Sequence, residues 1–195
     1  MKKLFKIFFA FAFFFSFMNV SKAQSEFAEE NLNLFLTNLQ QLNFKEAKNY
    51  VNDDIDDEKI KNFEDEIKNN NQVNEYFNVY FKNFTYKILD SDENHVELVI
   101  NSYDLNPALK KAISGGIIDG IKKALNNEEL TSDEILQKFL EKSIGAEMTE
   151  KKVNVAIRDG LVDISNKNDL KELTKALLGF DYTLIEGLND EFIEN

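Results

Sequence analysis

The chain has no cysteine, one histidine and one proline in 195 residues. Without cysteine there can be no disulfide, thiolate metal site, thiol nucleophile or lipid-modified N-terminal cysteine. The lone His95 excludes a histidine-rich metal site and leaves little for a Ser-His catalytic unit. One proline and seven glycines argue against a flexible linker or a loop-rich all-β fold. Basic residues are also few, 23 against 35 acidic, for a formal charge of −12. Four lysines and no acid fall in residues 1–23, so the remainder carries 19 basic against 35 acidic residues, about −16. That field repels nucleic acid and disfavours anionic membrane surfaces. Motifs for catalysis or cofactors are missing as well: no GxSxG, HExxH, phosphate loop or dinucleotide fingerprint. There is no internal repeat, and with 35 acids any pairing of carboxylates for acid–base work is arbitrary.

What is present is clearest at residues 83–103, NFTYKILDSDENHVELVINSY. Phe84, Tyr86 and Ile88 alternate with Thr85 and Lys87, and Val96, Leu98 and Ile100 alternate after the turn-forming DSDEN. This predicts a hairpin with one apolar face, around which the other segments, mostly helical in pattern, organise.

Residues 1–23 read as an export signal. Lys2, Lys3 and Lys6 give a basic start, residues 4–18 an apolar run with eight Phe, and Ser21-Lys22-Ala23 a cleavage site after Ala23. The run of roughly fifteen residues is short of the ~20 a membrane-spanning helix needs, and no second run of that length follows. The expectation is an exported protein, periplasmic or secreted, with no stable membrane insertion after cleavage.

Further on, Leu32, Phe35, Leu36, Leu39 and Leu42 mark a helix, and Asn43 with Glu46 reads as a capping box for a short second one. Asp53, Asp54, Asp56, Asp57 and Glu58 form an acidic knot. As a Ca²⁺ loop counted from Asp54 it would place Lys59 where the turn glycine belongs and Asp65 where a bidentate Glu belongs. The plainer reading is a solvated loop leading into an acid-rich helix N-terminus. Helices follow over residues 59–69 and 72–82, the second carrying Val73, Tyr76, Phe77, Tyr80 and Phe81. After the hairpin, Asp104 to Asn106 cap a helix with Pro107 in its first turn, running to about Asn126. Its Gly115, Gly116 and Gly120 suggest close packing on the sheet or a kink; Asp119, Lys122 and Lys123 exclude a membrane setting for this spacing. Thr131 to Glu134 is a capping box for a helix burying Ile135, Leu136, Phe139, Leu140 and Ile144 and stopping at Gly145. Val153, Val155 and Ile157 mark a third strand, Asp159-Gly160 a two-residue turn and residues 161–164 a fourth strand. Ser165 or Asn166 caps a last helix that ends at Gly179.

The stretches LQQLNFKEAKNYV (39–51), YFKNFTYKIL (80–89), LNPALKKAI and VNVAIRDGLVDISNKNDLKELTKALLG (153–179), in this order, resemble a family of small bacterial lipoproteins of unknown function. The resemblance implies a cystatin-like cone, the α+β architecture shared with nuclear transport factor two and scytalone dehydratase. Two features depart from the family. The lipobox cysteine is absent, so lipid anchoring does not carry over, and Leu161 or Val162 stands where the family often has Trp. The family has no agreed catalytic residues to transfer.

The expectation is therefore one α+β domain over residues 24–179, a curved antiparallel sheet of about four strands wrapped by helices, with the N-terminal helices closing its concave face. An acidic tail, 180–195, follows. The functional expectation is a non-enzymatic binding or interaction module of the cell envelope, taking a small molecule or an envelope protein, with no cofactor and no metal. Its candidate ligand-binding residues are Tyr76, Tyr80, Tyr86 and Tyr103 at the cone mouth. Two alternatives stand beside it. One is a small cone-pocket enzyme of isomerase or dehydratase type using a buried carboxylate, Asp104 beside Tyr103 being a candidate base. The other is a structural homodimer.

Overall fold

In the computed structural model, which describes residues 28–52, 55–126 and 131–184, the predicted hairpin forms β1 (Thr85–Ser91) and β2 (His95–Tyr103). The turn is held by one side chain: Asp92 Oδ1 accepts from the amides of Asn94 and His95 at 2.7 and 2.8 Å. These bonds favour the charged form and hold the Asp92 carboxyl below its ordinary range. Tyr86 stands opposite Ile100 and Ile88 opposite Leu98; the register then slips at Leu89, so that Asp90 faces Glu97.

β3 (Met148–Arg158) pairs antiparallel with β2 along the whole of β2. It starts well before the alternating Val153, Val155 and Ile157, because β2 supplies the pairing partner for the polar run MTEKK. Asp159 and Gly160 both take positive φ, 55° and 79°, as a two-residue hairpin turn with right-handed strand twist requires. β4 is only Leu161–Val162, shorter than the expected 161–164. Asp163 ends it by accepting from the Ser165 amide (2.9 Å) and hydroxyl (2.6 Å). The sheet runs β1-β2-β3-β4, antiparallel throughout.

The described residues form seven α-helices: α1 (Ala28–Gln40), α2 (Phe44–Ala47), α3 (Asp57–Asn69), α4 (Asn71–Val79), α5 (Asn106–Leu125), α6 (Ser132–Ser143) and α7 (Lys167–Leu178). The expected α+β class, an antiparallel sheet wrapped by helices, is what the chain forms. Local signals set many boundaries. Asp56 accepts from the Glu58 amide, Asn70 from those of Gln72 and Val73, and both halves of the Thr131–Glu134 capping box are made. The box expected at Asn43 is not made. Leu42 just before it is left-handed (φ 56°), the Asn43 amide group turns to Asn38, and Glu46 accepts from Asn49 instead.

One face of the sheet is covered. Tyr86 on that face donates to the Asn33 carbonyl of α1, and Ser102, on the same side as Ile100, donates to the Ala176 carbonyl of α7 at 2.5 Å. The N-terminal helices thus close only part of the face, and the C-terminal helix closes the rest. Across the gap, rings from α2, α3 and α4 meet edge to face: Phe44–Phe63 at 4.9 Å, Phe63–Phe77 at 5.9 Å and Phe44–Phe77 at 6.2 Å.

Three expectations are corrected. α5 packs mainly on α6, not on the sheet, and a Cβ on Gly115 would meet nothing within 4 Å. Ile144 is 80% exposed, because α6 ends at Ser143 and the extended backbone at Ile144 carries its side chain out of the helical repeat. Phe180, placed at the start of the tail, is buried against Tyr76 and Phe139. The signal segment, Asp53 and Asp54, and residues 185–195 of the tail lie outside the described residues.

Candidate functional site

The four candidate tyrosines divide. Tyr76, Tyr80 and Tyr103 come together, with ring centroids 6.2 Å apart for Tyr76–Tyr80 and 5.2 Å for Tyr80–Tyr103. Tyr86 lies apart from them, beside Phe84 and α1. Tyr76 is a core residue. It has no exposed surface, and its hydroxyl donates to the Leu178 carbonyl at 2.5 Å. Burial pushes its pKa well above the ordinary phenol value. Tyr80 and Tyr103 are half-buried. Partial burial raises Tyr80, with the charge of Glu75 and the neighbouring Tyr103 adding to it.

Behind these tyrosines the covered face of the sheet is filled. Leu32, Phe35, Leu36, Leu39, Phe77, Phe81, Leu98 and Ile100 have no exposed surface. The buried polar side chains among the described residues are Asn52, Ser102, Ser143 and Thr174, none of them an acid. Asp104, the candidate base, spends its Oδ1 on the Asn106 amide (3.2 Å) and side chain (3.0 Å) at the start of α5. Among the acids of the knot, Asp56 caps α3 and Asp57 pairs with Lys48, whose hydrogen bond holds it below the ordinary carboxylate range. No group of three or more His, Asp or Glu among the described residues is arranged to hold a metal ion.

Sequence reasoning missed a cleft of about 330 Å³ where β2 and β3 end against α5, α7 and the residues after it. Lys110, Lys151, Lys175, Asn106, Asp181 and Phe180 line it, with Leu184 at its edge. Lys151 arrives there because strand pairing sets it opposite Ile100, on the covered face. Its ammonium donates to two neutral acceptors, Ser102 Oγ at 2.8 Å and the Tyr103 carbonyl at 3.3 Å. Burial lowers its pKa, with the charge of Asp104 opposing. Lys175 is paired, to Asp181 at 3.1 Å and Glu172 at 3.3 Å. Burial pulls its pKa down, but these bonds outweigh burial and leave it raised. Asp181 is fixed in turn: its amide donates to Asn106 Oδ1 at 2.8 Å, and Thr183 donates to its carboxylate.

A second cleft, of about 410 Å³ between α5 and α6, is lined by charges that pair with each other: Lys138 and Lys122 with Asp119, Lys123 with Glu134. The two differ chemically. The α5–α6 cleft is neutralised by its own ion pairs, whereas in the strand-end cleft Lys175 is ion-paired but Lys151 bonds only to neutral acceptors.

No family model, curated protein or solved structure matches this chain.

Proposed function

We propose that this chain is an exported, non-enzymatic binding module of the cell envelope that recognises its ligand at the end of the sheet and not inside it. The observation that carries this reading is the filled face: α1, α7 and the ring cluster of α2–α4 fill the space over the sheet so closely that Val96, Leu98 and Ile100 at its centre have no exposed surface. A hollow cone with a catalytic carboxylate is the arrangement an isomerase-like activity would need, and here that space holds Phe, Leu and Ile. Export is supported by the basic start, the apolar run and the small residues at Ser21 and Ala23. The order of helix, hairpin, helices, hairpin and helix is in keeping with the cystatin-like family resemblance. The net charge of −12 suits a soluble protein that avoids nucleic acid.

The test is native mass spectrometry on the protein purified from its own host, with a broad hydrolase and isomerase screen on the same material. The expected result is a non-covalent mass carried by the folded chain, released on unfolding, and no turnover. Turnover of any substrate in the screen would overturn the reading.

A further inference from the structure

We propose that the strand-end cleft binds a small organic anion, whose acidic oxygens are held by the ammonium groups of Lys151 and Lys110 while its apolar part lies against Phe180 and Leu184. The inference rests on the binding-module reading and deepens it by naming the site and the ligand class.

The first ground is an unbalanced charge. Lys151 is drawn in under the sheet by its register, and its two acceptors, a hydroxyl and a carbonyl, are neutral. The carboxylate whose charge acts on Lys151, Asp104, spends its Oδ1 on the amide and side chain of Asn106. A partly buried ammonium with no carboxylate in ion-pair contact among the described residues, only the opposing charge of Asp104 nearby, is an unfavourable arrangement, and an apolar residue at such a site is often the more stable choice. The second ground is convergence. Lys110, one turn into α5, lines the same cleft and makes no ion pair among the described residues. Lys175 is already neutralised by Asp181 and Glu172, which sets one wall and leaves the other two lysines facing open space. The third ground is shape and polarity. The volume of about 330 Å³ lies at the small end of the range for small-molecule sites, and Phe180 with Leu184 supplies apolar surface beside the charges. This local excess of positive charge sits on a chain whose formal charge is −12, so diffuse attraction of anions does not account for it.

The groups facing Lys151 are Asp104 at the end of β2, Lys110 on α5, Lys175 on α7 and Asp181 beyond it. An anion between Lys151 and Lys110 relieves the burial penalty that lowers Lys151, so binding raises the Lys151 pKa. Affinity accordingly falls as pH rises through that pKa.

The experiment is calorimetric titration of the full chain at low ionic strength with two probes, hexanoate and inorganic phosphate. Four proteins are compared: wild type, Lys110→Gln, Lys151→Met and the control Lys111→Gln, which removes the same charge from a neighbouring exposed position outside the cleft. The proposal expects saturable one-to-one binding of hexanoate, weakened about tenfold or more in Lys110→Gln and in Lys151→Met and unchanged in Lys111→Gln. Phosphate competing with hexanoate at the same site would extend the ligand class to phosphate esters; hexanoate alone would restrict it to carboxylates. No saturable binding of either probe, or equal weakening in Lys110→Gln and Lys111→Gln, overturns the proposal. The binding-module reading would survive that result, because it is tested separately by the mass carried from the host.

Discussion

Three glycines to alanine give a graded test of how the last helix is locked to the sheet. Gly179 ends α7 with φ 80°, and a Cβ there would lie 2.3 Å from the Tyr103 carbonyl oxygen. A left-handed backbone costs a non-glycine residue about 1–2 kcal/mol. Relieving the overlap means moving α7 away from the end of β2, which breaks the 2.8 Å bond from the Leu105 amide to the Gly179 carbonyl. Leaving such buried groups unpaired costs about 1–3 kcal/mol. Gly179→Ala is therefore expected to lose about 2–5 kcal/mol. Gly145 has the same φ of 80° but nothing within 4 Å of an added Cβ, so Gly145→Ala should lose only the backbone part, about 1–2 kcal/mol. Gly115 lies inside α5 with open space around it, and Gly115→Ala should gain about 0.5–1 kcal/mol from helix propensity alone. Urea unfolding followed by far-ultraviolet circular dichroism measures all three. A Gly179→Ala loss no larger than that of Gly145→Ala would refute the claim that close backbone approach fixes α7.

Other predictions follow from single contacts. Tyr76→Phe removes the donor to the buried Leu178 carbonyl and should cost about 1–3 kcal/mol in urea unfolding while leaving anion binding in place. Lys151→Met should raise the urea midpoint at neutral pH. The wild-type lysine is lowered by burial, so its unfolded state binds more protons between that value and 10.5, and its cost to stability is relieved only as pH rises through this window. A lower midpoint for Lys151→Met would contradict the unbalanced-charge argument. Glu134 is held at about 2 against an ordinary 4.5 by its bonds to Lys123 and to the Thr131 amide. Its folded value is depressed, so its contribution is full above 4.5 and lost as pH falls towards 2; Glu134→Gln should flatten the acid limb of the stability profile in that window.

What could be read from the residues was what local chemistry decides. The alternation of residues 84–88 and 96–100, the Asp159-Gly160 turn, the Thr131–Glu134 box and the Gly179 stop each depend on a few neighbouring residues, and each is found where expected. What depends on distant partners was not legible. The polar run MTEKK carries no strand period of its own, so the register that turns Lys151 inward was hidden until β2 was paired with it. The glycines of α5 suggested close approach, but which element α5 meets is a tertiary fact, and it meets α6. The tyrosines were legible as a group only in part. The i, i+4 spacing of Tyr76 and Tyr80 puts them on one helix face, and the end of β2 adds Tyr103, while Tyr86 belongs to the face covered by α1. A lysine at a strand position opposite an apolar residue is the one signal that pointed to the cleft, and it becomes visible only once the pairing of β2 with β3 is known.

Recognition at the end of the sheet over a filled interior is settled by amide chemical-shift mapping of the full chain during titration with hexanoate. Binding at the strand-end cleft would give shifts confined to residues around it, from Ser102 to Lys110, at Lys151 and from Lys175 to Leu184. Shifts centred instead on the interior, at Leu32, Phe35, Phe77 and Ile100, would mean that the core opens to admit a ligand and would contradict it.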